Sequence, residues 1–172
     1  MLFRSYFILI REWFKESQIS IPEFIDENIY YLGQRYNFIW QNINYDLLFN
    51  GNNNSNNREF DNYLKRFGYK FKNENFDFGG YFILKNKKIC LVVDAGSPPI
   101  LKYAKNYQAG SLSFEIISNQ RKLISNCGYY NKDSTELNEL SKSTAIHNTL
   151  VIDDHSSCKF RKIKNSFLLE KG

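Results

Sequence analysis

The chain has 172 residues, 42% of them apolar and 17% aromatic, with a formal net charge of +5, which is material enough for one packed domain of ordinary size. Positive and negative side chains alternate along the chain and form no long basic block, so a solvated surface is expected and a nucleic-acid partner is not. The three cysteines, Cys90, Cys127 and Cys158, are widely spaced and lack a C-x-x-C pair, which argues against a disulfide framework or a thiolate zinc site and for buried thiols.

Near the N-terminus the apolar run Tyr6–Ile10 gives way at once to Arg11 and Glu12. It is too short to span a membrane, and no small-residue cleavage site follows it, so neither a membrane partner nor a signal peptide is expected. Residues 2–16 place Leu2, Phe3, Tyr6, Phe7, Ile10, Trp13 and Phe14 at helical spacing, with charged residues over much of the other side. Ser20 and Pro22 open a second helix that runs to about Gln41, and the short link predicts an antiparallel pair. These two helices carry more aromatic surface than a pair can bury by itself. Tyr45–Asn50 is a short apolar piece, and Gly51–Asn57 is an Asn-rich loop. A third helix is expected over Arg58–Phe67, with Gly68 as its stop.

From Phe78 onward the period changes to that of strands. Gly80–Leu84 and Ile89–Val93 flank a hairpin turn, and Ser111–Ile117 and Lys122–Ser125 flank another at Ser118–Arg121. Pro98 and Pro99 force Asp94–Pro99 out of the sheet, because proline cannot donate to a ladder. Tyr129–Lys142 reads as a long polar loop, Asn148–Asp153 as a strand, and Phe160 and Phe167–Leu169 as parts of further strands. The order of elements is helices first and an antiparallel sheet second, an α+β arrangement in which both parts look cut off.

The general catalytic motifs are missing: there is no P-loop, G-x-G-x-x-G, H-E-x-x-H or G-x-S-x-G. With only His147 and His155, an all-histidine metal site is impossible. On spacing alone His147 is better read as structural than as a ligand or base, and His155 as an exposed turn residue. Glu115, between Phe114 and Ile116, faces a polar cavity or pairs with a basic residue such as Arg121. Gln108, Asn126 and Asn148 can donate and accept hydrogen bonds, which suits sugar hydroxyls or a uronate carboxylate but also plain turns. The mildly basic surface suits an acidic polysaccharide.

Three segments then line up: A-G-S-L-S-F-E-I from Ala109, L-I-S-N-C-G-Y-Y from Leu123, and S-T-A-I-H-N-T-L-V-I-D-D from Ser143. Leu48-Phe49-Asn50-Gly51, Gly80-Tyr81 and Val93-Asp94-Ala95-Gly96 precede them in matching order. Over roughly residues 20–160 the sequence resembles the heparinase II/III-like polysaccharide lyases. The resemblance implies the terminal helices of an incomplete α/α toroid over residues 1–67. Residues 68–172 would be the first part of an antiparallel β-sandwich-type domain. It also implies β-elimination on a uronate polymer, with catalytic helpers on further toroid helices of the parent chain. The compartment, by analogy, would be periplasmic.

In that family the pattern H-x-H-x-D often precedes L-S-F-E, and its second histidine joins a later Asp and a later His around zinc. Carried onto this sequence, the first histidine falls at Asn106, the second at Gln108, and the pattern's own Asp at Gly110. The later Asp falls at Asn126 and the later His at His147. The resemblance therefore implies Asn106 and His147 as catalytic positions, with Gln108, Asn126 and Asn148 as substrate-binding candidates. One imidazole and two neutral amides make a poor zinc site, so no metal or other cofactor is expected.

Overall fold

The computed structural model describes residues 2–41, 43–51, 57–72, 77–130, 135–163 and 166–172. It combines helices with antiparallel sheets, as an α+β chain should, and divides into two compact units.

The helical unit is Met1–Tyr45 together with Asn56–Asn75. Its helices are α1 (Leu2–Glu16), α2 (Glu23–Tyr36), which continues into one π-helical turn at Asn37–Gln41, and α3 (Asn57–Arg66). Extended Pro22 precedes α2, and Glu23 and Asp26 put negative charge where the helix dipole favours it. Ile8, Ile25, Ile29, Tyr36, Trp40, Phe60 and Leu64 form the core. Gly33 is required there, because a Cβ would lie 2.1 Å from the Phe71 ring. The Asp61 carboxylate accepts from Tyr36 Oη and Trp40 Nε1, both at 2.8 Å, which ties α3 to the end of α2. Gly68, at φ +73°, stops α3 as expected, and Tyr69 N–H returns to the Leu64 carbonyl. Tyr6, Trp13, Phe24, Tyr30 and Tyr31 remain exposed. None of the described helices is long and apolar enough to cross a membrane.

The second unit is Asp46–Ser55 with Phe76–Gly172. The division thus differs from a single cut after residue 67. Tyr69 and Phe71 pack into the helical core, and the segment from Asp46 belongs with the sheet because Leu48 N–H donates to Glu115. Strands β1 (Asp77–Phe78), β2 (Tyr81–Lys85), β3 (Ile89–Asp94), β4 (Phe114–Ser118) and β5 (Arg121–Ile124) pair antiparallel in that order. Asn86 closes the β2–β3 turn by accepting from the N–H groups of Lys88 and Ile89. The β4–β5 turn is two residues long, with Asn119 and Gln120 both at positive φ, the conformation that suits the strands' twist. Along β3 the side chains of Cys90, Val92 and Asp94 point inward, and on β4 Glu115 and Ile117 do. A separate hairpin joins β6 (Lys159–Ile163) to β7 (Ser166–Lys171), as the apolar positions Phe160 and Phe167–Leu169 foretold.

Two expectations fail. Part of the polar stretch read as a loop is a helix, α4 (Thr135–Lys142); residues 131–134 lie outside the described residues. Its pattern is inverted: Leu137 and Leu140 are exposed, while Asn138, Ser141 and Lys142 are buried and hydrogen-bonded. No apolar stripe existed to announce it. Asn148–Asp153 is not a strand. Among the described residues its only ladder contact is the isolated bridge Ile152–His155, and Leu150 and Ile152 are exposed. Apolar side chains there had no neighbouring strand to complete a ladder.

Candidate functional site

Glu115 organises the sheet side of the site. Although it is fully buried, its Oε1 accepts from the N–H groups of Leu48 and Asn126, and its Oε2 meets Lys122 Nζ at 3.0 Å. The partner is Lys122 rather than Arg121, because residues 115 and 122 share the inward-reaching side of the hairpin while Arg121 is exposed. A carboxylate so placed needs both the cation and the N–H donors to offset its desolvation.

Gln108, also fully buried, uses its whole amide. Oε1 accepts from Gly51 N–H at 2.9 Å, and Nε2 donates to the carbonyls of Gly128 and Ser141. Asn126 Oδ1 accepts from Asn148 N–H at 3.0 Å, which fixes the amide's orientation and leaves Nδ2 buried without a partner. Asn148 is half-buried and links back to Phe114 through both its carbonyl and its side chain. His147 follows a short 3-10 turn, Thr144–Ile146, not the mouth of a strand. Its Nδ1 lies 2.7 Å from the Ser143 carbonyl and therefore carries the proton, so Nε2 presents a lone pair, buried and without a partner. Burial holds the imidazole below its ordinary pKa, against the opposing pull of the Ser143 carbonyl. His155 is exposed on a turn.

The zinc that the resemblance implies does not fit these residues. Gln108 offers only a neutral amide oxygen that already accepts from Gly51 N–H, Asn126 turns an amide NH2 inward, and Gly110 has no carboxylate. A Cβ on Gly110 would meet His147 Cδ2 at 2.9 Å and Ser113 Oγ at 3.0 Å, so the place of the pattern's Asp is closed. Among the described residues no group of three His, Cys, Asp or Glu side chains is arranged to hold a metal ion.

Asn106 stands apart from this buried set. It is exposed at the edge of an open pocket of about 250 Å³ lined by Asn50, Tyr81, Asp94, Tyr103 and Tyr107, with Gly79, Gly96, Ser97 and Pro99. The volume lies just below the usual range for small-ligand sites, roughly 300–1,000 Å³. Asn50 Nδ2 donates to both Asp94 Oδ2 and Tyr81 Oη. Burial raises the Asp94 carboxyl above its usual range, although the Gly96 N–H and the Asn50 amide pull the other way. Burial, helped by the Asp94 charge, pushes the Tyr81 phenol up to about 12. Tyr107 is likewise raised by burial. Tyr103 leaves 68% of its surface exposed beside the pocket, a flat apolar face with a polar tip.

The structure thus separates the residues singled out from sequence. Gln108, Asn126, Asn148 and His147 form a buried, hydrogen-bonded set, whereas Asn106 opens to solvent. Asn50, Tyr81 and Asp94 come from three motif pieces that marked the resemblance without being assigned a role, and they meet in one pocket. Tyr103 and Tyr107 carried no signal in the sequence.

The second unit is thus an antiparallel five-stranded meander with a buried amide–imidazole cluster on one loop system and a tyrosine-lined polar pocket beside it. Residues 70–169, more than half the chain, match the family described as heparinase II/III-like, C-terminal, and the chain belongs to that family. Among solved structures, heparan sulfate lyase HepC from Pedobacter heparinus is similar in fold, with a TM-score of 0.67 and 16% identity over 94% of this chain and 31% of that one. A structure of heparinase III gives a TM-score of 0.65 and 17% identity over 92% of this chain and 32% of that one. The chain therefore spans about a third of the length of these relatives. No curated protein sequence matches it.

Proposed function

We propose that this chain is part of a lyase that cleaves a uronate-containing polysaccharide by β-elimination, and that the polymer lies over the pocket bearing Asn106. The observation that carries this reading is the convergence of Asn50, Tyr81, Asp94 and Asn106, drawn from separate family motifs, on one open pocket. Supporting features are the net charge of +5, the exposed ring of Tyr103 as a stacking face for a sugar, and membership of the family.

In β-elimination a base removes the proton α to the uronate carboxylate. The electron pair forms the C4–C5 double bond, and the 4-linked oxygen departs with a proton. Asn106 is an amide and cannot be that base; it can donate N–H hydrogen bonds to the carboxylate, where negative charge grows in the transition state. His147, buried and outside the pocket lining, bears on catalysis only by bracing its loop through the Ser143 carbonyl. Gln108, Asn126 and Asn148 act from beneath by holding that loop system in place. Proton abstraction is then left to a toroid side chain, as the family resemblance implies.

The test is to incubate the full-length protein with heparan, alginate and related uronate polymers and follow absorbance from the new double bond. Absence of unsaturated product on every polymer defeats the activity. The neutral amide at position 106, where the family commonly has histidine, favours a second reading, a β-module that binds acidic polysaccharide without cleaving it. That reading expects binding, no product, and no change on His147→Ala.

A further inference from the structure

Lys142, the last residue of α4, is 1% exposed and is among the largest fully buried side chains. Its Nζ donates to the carbonyls of Lys105 and Tyr107, both at 3.0 Å. The rings of Tyr129 and Phe160 each lie 5.1 Å from the ammonium. A charge buried on carbonyls and ring faces, with no carboxylate beside it among the described residues, is costly to keep where a methionine would fill the same space. Burial lowers its pKa to about 8.

The two carbonyls it holds are those on either side of Asn106. With both drawn inward to one ammonium, the residue between them is turned outward, toward the pocket. Gly51 closes on the other side: a Cβ there would fall 2.4 Å from Asn106 Cβ. The same end of α4 grips the rest of the segment. Gln108 Nε2 donates to the Ser141 carbonyl, Ala109 N–H donates to the Lys142 carbonyl, and Thr144 Oγ1 donates to the Ala109 carbonyl.

We propose that Lys142 is a positioning residue: by clamping the carbonyls of Lys105 and Tyr107 it sets the turn that carries Asn106 into the pocket. The proposal rests on the reading of that pocket as the polymer site, and its test separates the two. In the full-length protein, Lys142→Met keeps the length of the stem and removes the donors. Its ¹⁵N-¹H spectrum should show the Lys105–Tyr107 amides and the Asn106 side-chain NH2 displaced, with the helical unit unchanged. In a lyase assay kcat should fall about ten-fold with little change in KM, as a slightly misplaced group does. Lys142→Met should add no further loss to Asn106→Ala, because both act through the same side chain.

A wild-type protein without lyase activity defeats the functional reading, and the spectra then decide the role of Lys142. Asn106 resonances that stay in place in Lys142→Met overturn the proposal, as do losses that simply add in the double variant. Should Lys142→Met not fold, Lys142→Gln, which keeps a polar donor but ends one bond short of the ammonium position, is read by the same spectra. Smaller displacements of the same resonances support the clamp, and unmoved ones overturn it.

Discussion

The backbone N–H of Gly51 donates to Oε1 of Gln108 at 2.9 Å, while the same amide's Nε2 donates to the carbonyls of Gly128 and Ser141. One neutral side chain thereby joins three segments that are distant in sequence, at the position where the family pattern has a metal-binding histidine. A primary amide suits this bracket because it accepts at one end and donates twice at the other.

Replacing Gln108 by alanine takes the side-chain partner from the part-buried Gly51 N–H and the buried Ser141 carbonyl, removes one of two donors to the Gly128 carbonyl, and leaves a void. Stability should fall by about 3 kcal/mol, measured by urea denaturation. Gln108→Glu should be at least as damaging, since a carboxylate would face two carbonyls with no proton to give. A loss under about 0.5 kcal/mol for both variants would show that the bracket is dispensable.

A chain whose amides do the joining has no need of zinc. Dialysis against a chelator should leave the melting temperature unchanged, and added zinc should not raise it, because a ligand stabilises only the state that binds it. Equimolar zinc retained through purification, or a melting temperature that drops on chelation, would contradict the donor set described for Gln108, Asn126, Gly110 and His147.

Lys142 makes stability depend on pH in a defined direction. Its pKa is about 8 in the folded chain, against an ordinary 10.5, so between those values the unfolded chain binds more protons. Stability contributed by this group therefore rises as pH increases from about 8 to about 10.5, and is lost as pH falls back through 8. The nearby Tyr107 and Cys158 are raised by burial and pull the other way at alkaline pH, so the readout is the difference between wild type and Lys142→Met. That difference should shift in favour of wild type by up to about 3 kcal/mol across the window. A flat difference would mean that Lys142 keeps an ordinary pKa.

Much of the fold was legible because its elements are local. The apolar periodicity of residues 2–16, Gly68 as the stop of α3, and the two hairpins either side of Asp94–Pro99 follow from side-chain spacing and turn chemistry within a few residues. Helix α4 was hidden because it buries Asn138, Ser141 and Lys142 and exposes Leu137 and Leu140, the reverse of the usual stripe. The stretch after His147 misled for the opposite reason: its apolar residues promised a ladder, and a strand exists only where another strand pairs with it.

The same division holds for the candidate site. Sequence alone determined which residue types are available: two histidines, neutral amides at Asn106, Gln108 and Asn126, and glycine at position 110, a set too poor in anionic and imidazole ligands for zinc. Tertiary structure decided what each one does. It buried Gln108 and Asn126 as brackets, turned the Nε2 of His147 inward, left Asn106 at an open pocket, and brought Lys142 beneath it from a helix that carried no signal. Hydrogen-bond partners 20 to 60 residues apart are chosen by how the sheet and loops close, and that choice is not written in the spacing of residues along the chain.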